Sequence, residues 1–330
     1  YPHPAHLPVV QKGTLRDDLL RRDFTINAIA LQISGSGFGI VVDLFNARKD
    51  ISSGILRVLH PVSFIDDTTR ILRGIRFEQR FGFTFERYTY QLLKAALEQS
   101  MLELVEPQRL RDELILLLKE DKPSRVMRRV AQLTGLSFIS PKLRPSPAMM
   151  RDLSAIESRL SWFKRHAMQP RPLDAWLVFF IGLTGSLPVA DVHALCRRLV
   201  FRKADEKRIL WCAASCDKAI EALQARSMER SDVFHILEPL SYEAVVVMLS
   251  RTDRPLVIER IREFLACSNG TKISVSGHDL GACGFKPGPH YQRILKRVLS
   301  AKLDGKLKDR AAELRFAREI ASEEINRKER

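Results

Sequence analysis

Asp67 and Arg70 are the residues whose types and spacing point most directly to chemistry. They lie in Asp66-Asp67-Thr68-Thr69-Arg70, which runs on into Ile71-Leu72-Arg73-Gly74-Ile75-Arg76-Phe77. The pattern predicts one helix over residues 66–81, and positions three apart on a helix share a face. A carboxylate accepts from the exocyclic amino group of cytosine or adenine, and a guanidinium donates to the adjacent ring nitrogen. Uracil and guanine present the opposite order at those edges. Such a pair would select C and A without a template. The same residues also suit plain helix design, with an acid near the N-terminus and Asp66 paired to Arg70 at i,i+4.

Three further segments carry polar side chains in runs that invite function. Arg21-Arg22-Asp23-Phe24-Thr25-Ile26-Asn27-Ala28 puts two guanidiniums, which match phosphate oxygens and stay charged, beside an acid able to accept from a ribose hydroxyl. An exposed Arg-Arg pair with a turn-forming Asp is the structural alternative. Asp43-Leu44-Phe45-Asn46-Ala47-Arg48-Lys49-Asp50-Ile51 reads equally as a polar turn between strands, and Glu106-Pro107-Gln108-Arg109-Leu110-Arg111-Asp112-Glu113-Leu114 as a charged helix start.

The elements that must hold these residues change in texture along the chain. Residues 1–13 read as a Pro-rich loop. Segments 24–33 and 38–44 look like strands joined across Ser34-Gly35-Ser36-Gly37, and 51–59 like another short extended piece. After Pro61 helical spacing takes over, with helices expected at 66–81, 88–98 and 107–120 and then nearly to the C-terminus, broken at Pro and Gly clusters such as 170–172 and 284–289. The 330 residues are too many for one small core. Net charge is +15, which favours a polyanionic partner over a neutral one. The apolar run 176–183 is too short to span a bilayer, and no membrane is expected. Five cysteines show no metal-ligand spacing, and Cys212 and Cys216 at i,i+4 among apolar neighbours read as buried thiols of a cytoplasmic protein.

In order and spacing the four polar segments resemble the second to fifth motifs of class II tRNA nucleotidyltransferases and bacterial poly(A) polymerases, within the polymerase-β-like nucleotidyltransferases. Arg-Arg-Asp-Phe-Thr-Ile-Asn-Ala with Asp-Asp-x-x-Arg is the specific part. The stretch from Gly277-His278-Asp279-Leu280 through Gly284-Phe285-Lys286-Pro287-Gly288-Pro289 resembles the family's tail. The resemblance implies an α+β protein: a small, partial nucleotidyltransferase α/β head (1–60) followed by an elongated all-helical neck (61–123), body (124–250) and RNA-binding tail (251–330).

It also implies roles. Arg22 and Asp23 contact the triphosphate and sugar, and Asp67 and Arg70, with Arg73 beside them, form the rest of the nucleotide site. Arg109 and Glu113 brace the neck. Asp43 and Asp50 hold the head-to-neck turn, where Asn46-Ala47 replaces a frequent Gly pair. The family holds two Mg²⁺ ions on an Asp-x-Asp strand. No Asp-x-Asp occurs in this chain, so the metal carboxylates are expected upstream of Tyr1, no catalytic or metal residue is assigned, and the chain alone is expected to be inactive. The implied activity is addition of C and/or A from CTP or ATP to the 3′ end of tRNA. Poly(A) polymerase action on other RNAs, or a non-catalytic RNA-binding module, are the alternatives. Lys286 and His290, at the loop feeding a helix, are candidates for an RNA phosphate, although a plain turn explains them too. His278-Asp279 lacks companion ligands among His166, His193 and His235. The basic residues between Lys306 and Arg318 alternate with acids and read as a solvated face. Oligomeric state is left open.

Overall fold

A computed structural model describes residues 12–167 and 172–326. Most of the expected N-terminal loop, and residues 170 and 171 of the expected break, therefore lie outside the described residues. Contacts divide the chain into one unit of Tyr1–Glu157 with Ala175–Ala213, and a second of Ser158–Asp174 with Ala214–Arg330.

The first unit opens with α1 (Leu15–Leu20), started by a capping box between Thr14 and Asp17. The expected strand over 24–33 is shorter than its composition suggests. Thr25–Asn27 form a single 3₁₀ turn, with the Thr25 hydroxyl donating to Asp50 Oδ2 (2.7 Å), and Phe24 pairs with Val58 only as an isolated antiparallel bridge through the Thr25 amide and Arg57 O (2.9 Å). Only β1 (Ile29–Leu31) remains extended, pairing antiparallel with β2 (Val41–Asp43) in the register Ile29↔Asp43. The segment after β2 is not a turn but a helix, α2 (Ala47–Ser53), whose first amides donate to Asp43 Oδ1 and Oδ2 (2.8 and 3.0 Å). Asn46 takes the left-handed conformation (φ 59°) just before it. This explains a glycine preference at that position, since Asn is one of few other residues that tolerates it. Gly54 ends α2, leaving a two-residue β3 (Ile55–Leu56) instead of the longer strand expected at 51–59.

The helix expected over 66–81 is two helices. A short α3 (Ser63–Asp66) ends at Asp67, whose backbone is extended (φ −141°, ψ 96°), and α4 (Thr69–Phe81) begins two residues later. The Asp67 carboxylate accepts from the Thr69 amide (3.1 Å) and hydroxyl (2.7 Å), a local side-chain bond that competes with helix continuation. On α4, Ile71, Leu72 and Ile75 are wholly buried, each contributing about 1.5–3 kcal/mol. Gly74 lets Phe24 and Phe85 close on the helix: a Cβ there would meet both rings at 2.8 Å. Gly82 (φ 70°) ends the helix, and β4 (Thr84–Phe85) returns to pair in parallel with β3.

The remaining helices of this part follow the expected spacing: α5 (Arg87–Glu98), α6 (Pro107–Leu118) and α7 (Pro123–Thr134). Pro107 sits in the first turn of α6, and Leu110, Leu114, Leu117 and Leu118 are buried along it. Arg129 on α7 forks onto Glu78 of α4 with both bonds at 2.7 Å. Next come α8 (Pro147–His166), α9 (Ala175–Leu183), α10 (Val189–Arg198) and α11 (Lys203–Ala222). Most of α9 is apolar and buried around its whole circumference, which marks a helix enclosed by others.

The second unit adds α12 (Arg230–Leu237), α13 (Tyr242–Arg251) and α14 (Pro255–Glu263), a π-helical turn at Phe264–Ser268, and α15 (Gly277–Ala282), α16 (His290–Leu303) and α17 (Arg310–Asn326). Phe163 packs edge-on against buried Tyr242, and Phe234 against Phe264. Val275, Leu280, Ile294, Val298 and Ile320 form the terminal core. The buried Glu313 beneath it accepts from the Ser274 amide (2.6 Å) and Lys302 (2.7 Å). No single helix among the described residues is long and apolar enough to cross a membrane.

Candidate nucleotide-binding cleft

The first unit contains a cleft of ≈ 680 Å³ whose walls come from the Arg21–Asn27 segment, the α3–α4 junction and α6. All five residues expected to bind nucleotide, Arg22, Asp23, Asp67, Arg70 and Arg73, line it, as do Arg109 and Glu113. Four arginines of this set therefore converge on one opening, with three acids interleaved.

Asp23 is buried, and its four acceptor positions are taken. Oδ1 accepts from the Phe24 amide (2.9 Å) and Asn27 Nδ2 (2.8 Å), and Oδ2 from Arg73 Nε (2.9 Å) and Nη2 (2.6 Å). Burial pushes the carboxyl up, but the Arg73 charge and these hydrogen bonds outweigh it and hold Asp23 below the usual carboxylate range. Arg73 is raised in turn: burial works against its charge, and Asp23 prevails. Arg73 also reaches Glu113 Oε1 at 3.5 Å and lies over the Phe77 ring, 5.7 Å from its centroid. Glu113 behaves oppositely to Asp23. Its burial prevails over Arg73 and Arg76, and its carboxyl rises. Its Oε2 is buried without a hydrogen bond, with Arg76 Nη2 at 3.6 Å.

Arg22 is the most solvent-open of the three cations expected to bind nucleotide. It donates to the Asn27 carbonyl (3.1 Å) and to Asp18 Oδ2 (3.2 Å). Arg70 is 3 % exposed. Its Nη1 donates to Ser63 Oγ (2.6 Å) and its Nη2 to the Arg21 carbonyl (2.6 Å), so it links three segments of the wall. His60 Nε2 stands 3.4 Å from Arg70 Nη1. Burial, then the Arg70 charge, lowers the His60 pKa, which keeps the ring a neutral acceptor at pH 7.

Asp67 and Arg70 thus share the cleft, but not through one helical face. Asp67 precedes α4 and is held from across the cleft by Arg109 of α6, whose Nη2 donates to both oxygens (2.9 and 2.8 Å) and approaches Thr69 Oγ1 (3.3 Å). Arg109, read from the motif as a brace, is both a brace and part of the lining. Sequence reasoning gave Asn27, Ser63 and His60 no role. Asn27 had a signal, since it belongs to the same motif as Asp23. Ser63 and His60 had none, because their place depends on how α3 turns back on Arg70.

Among the described residues no three His, Cys, Asp or Glu side chains come together as a group that could hold a metal ion. Lys286 is exposed in the loop of the second unit, and His290 starts α16 with its ring edge-on to Tyr291. The Tyr291 hydroxyl donates to the Phe285 carbonyl (2.5 Å) and closes that loop. Asp279 caps α15 through Ser276 and pairs with Arg310, which gives that residue a structural role.

Residues 3–57 match the model of the poly A polymerase head domain. An A-adding tRNA nucleotidyltransferase of Geobacter sulfurreducens is 33% identical over 326 residues, 97% of this chain. The chain spans 37% of that relative's length. The Thermotoga maritima CCA-adding enzyme complexed with tRNA superposes with a TM-score of 0.72 at 30% identity, covering 92% of this chain and 73% of that one. A CCA-adding enzyme complexed with CTP gives 0.72 at 30% identity, over 91% and 71%. The motif order, the helical architecture and these likenesses agree, and the chain belongs to the class II tRNA nucleotidyltransferase and bacterial poly(A) polymerase family.

Proposed function

We propose that the cleft binds the incoming nucleotide, CTP and/or ATP, and that the whole protein adds C and/or A to the 3′ end of tRNA. The observation that carries this reading is the convergence of Arg22, Arg70, Arg73 and Arg109 on one opening around Asp67. Arg22, the most solvent-open of the expected cations, takes triphosphate oxygens. Asp23 acts by fixing Arg73, since its own acceptor positions are filled. Asp67 accepts the amino proton of cytosine or adenine, and Arg70 donates beside it. The named relatives support the substrates: they add A or CCA to tRNA, and one is complexed with tRNA and another with CTP. In the second unit, Lys286 and His290 are proposed to meet RNA phosphates, a contact that reads charge and shape rather than sequence. The division into head, neck, body and tail at residues 60, 123 and 250 belongs to the same proposal.

In such transfers a bound Mg²⁺ pair would supply activation of the 3′ hydroxyl and charge stabilisation of the pyrophosphate. The sequence carries no Asp-x-Asp pair, and the proposal for this chain as given is selective nucleotide binding without transfer. A cytoplasmic setting accords with that reading.

Calorimetric titration with each of the four ribonucleoside triphosphates tests it. CTP and/or ATP should bind roughly tenfold or more tightly than UTP and GTP, the scale of one good base-edge pairing. Arg22→Ala should weaken all four alike. Four equal affinities in the wild type would remove the base-reading role of the cleft. The head model is named for poly A polymerases, so a second reading is action on other RNAs. Comparing tRNA with unstructured RNA as acceptor for the whole protein separates the two.

A further inference from the structure

Asp67 is the base-reading acid of the proposed function, and its own segment restrains the carboxylate only at Oδ1, through Thr69. Its backbone is extended between α3 and α4, so helix geometry does not aim it. Oδ1 is saturated by the Thr69 amide (3.1 Å), the Thr69 hydroxyl (2.7 Å) and Arg109 Nη2 (2.9 Å). Among the described residues Oδ2 accepts from Arg109 Nη2 alone (2.8 Å) and retains a lone-pair direction. The other acids of the cleft lack such a site: Asp23 is filled, and the unbonded Glu113 oxygen is buried.

We propose that Arg109 is a positioning residue for base selection, straddling the Asp67 carboxylate so that only Oδ2, in one orientation, is offered to the amino group of cytosine or adenine. The inference rests on the reading of the cleft given above. A carboxylate free to turn would accept equally from the ring N–H of uracil or guanine, because an acceptor does not distinguish an amino proton from an imino proton. Discrimination therefore needs the oxygen held opposite the amino position. Arg109 is suited to hold it. It projects from the first turn of α6, which Leu110, Leu114 and Leu117 anchor in the core. A cation in the first turn opposes the helix dipole, so this position is not one that helix stability selects. The sequence segment reads as a brace, and a brace would tie α6 to the α3–α4 junction without regard to which base is bound.

The test is nucleotide binding by the 330-residue chain with CTP, ATP, UTP and GTP, for the wild type, Arg109→Ala, Arg109→Lys, Asp67→Ala and the Ala double variant. The expected result for Arg109→Ala is a preference for CTP and ATP over UTP and GTP that falls about tenfold, mainly because UTP and GTP bind better. Arg109→Lys, which keeps a donor at the carboxylate, should restore part of the preference. In the Asp67→Ala background, adding Arg109→Ala should change no affinity ratio, because Arg109 acts through Asp67. A preference that survives Arg109→Ala, or a drop of equal factor for all four nucleotides, overturns the proposal and leaves Arg109 a brace. A wild-type chain with no preference, or one whose preference survives Asp67→Ala, overturns the underlying reading and this proposal with it.

Discussion

Replacing Asp23 with Asn tests the electrostatic frame of the cleft most directly. The substitution keeps size and leaves an oxygen for the Phe24 amide, but removes the charge that faces Arg73. Two charge-assisted hydrogen bonds at 2.9 and 2.6 Å weaken or are lost, each worth about 1.5–3 kcal/mol in net terms. Breaking a fully buried pair by removing one partner costs about 3–5 kcal/mol. Here Arg73 is 32% exposed and keeps Glu113 at 3.5 Å, so part of its charge is rehydrated or compensated. The expected loss is about 2–3 kcal/mol, or roughly 4–12 °C in the melting temperature of a unit of this size. The pH dependence carries a second signature. The Asp23 carboxyl is depressed below its ordinary 3.8 in the fold, so its contribution is fully present above that value and is lost as pH falls through the folded pKa. Urea unfolding followed from pH 7 to pH 3 should therefore show a constant gap between wild type and Asp23→Asn down to about pH 5, closing below about pH 4. A difference under 0.5 kcal/mol at pH 7, taken as roughly the scale of a neutral surface change, would refute the claim that this pair organises the cleft wall.

Glu113 should respond with the opposite sign. Its folded pKa lies above the ordinary 4.5, so the fold binds its proton more tightly, and stability falls as pH rises through that interval. Glu113→Gln, which mimics the protonated carboxyl, is expected to remove that fall of stability with pH; a urea-unfolding pH profile identical to wild type would contradict this. Gly74→Ala places a methyl 2.8 Å from Phe24 and Phe85 and should cost about 1–3 kcal/mol by thermal melting, despite the better helix propensity of Ala. Thiol labelling of the folded protein at pH 8 should modify exposed Cys267 first. Cys196 and Cys216, pushed by burial to about 12 and about 11, should react only after unfolding.

Much of this protein was legible in its residues taken in order. Helical spacing located α5, α6 and the array beyond, because burial of one face repeats every three or four residues whatever packs against it. The composition of four short motifs picked out five side chains that do line one cleft. Composition also determined the lack of any Asp-x-Asp pair. Tertiary structure decided how those side chains are used. The break at Asp67 depends on a local bond to Thr69 that outcompetes helix continuation, which periodicity does not register. The saturation of Asp23 by Arg73 crosses 50 residues of chain, and the hold of Arg109 on Asp67 crosses 42. A carboxylate's availability depends on which donors fill its lone pairs, and those donors come from segments distant in sequence. Residue type sets what a group can bind; only the packed chain sets what is left for a ligand.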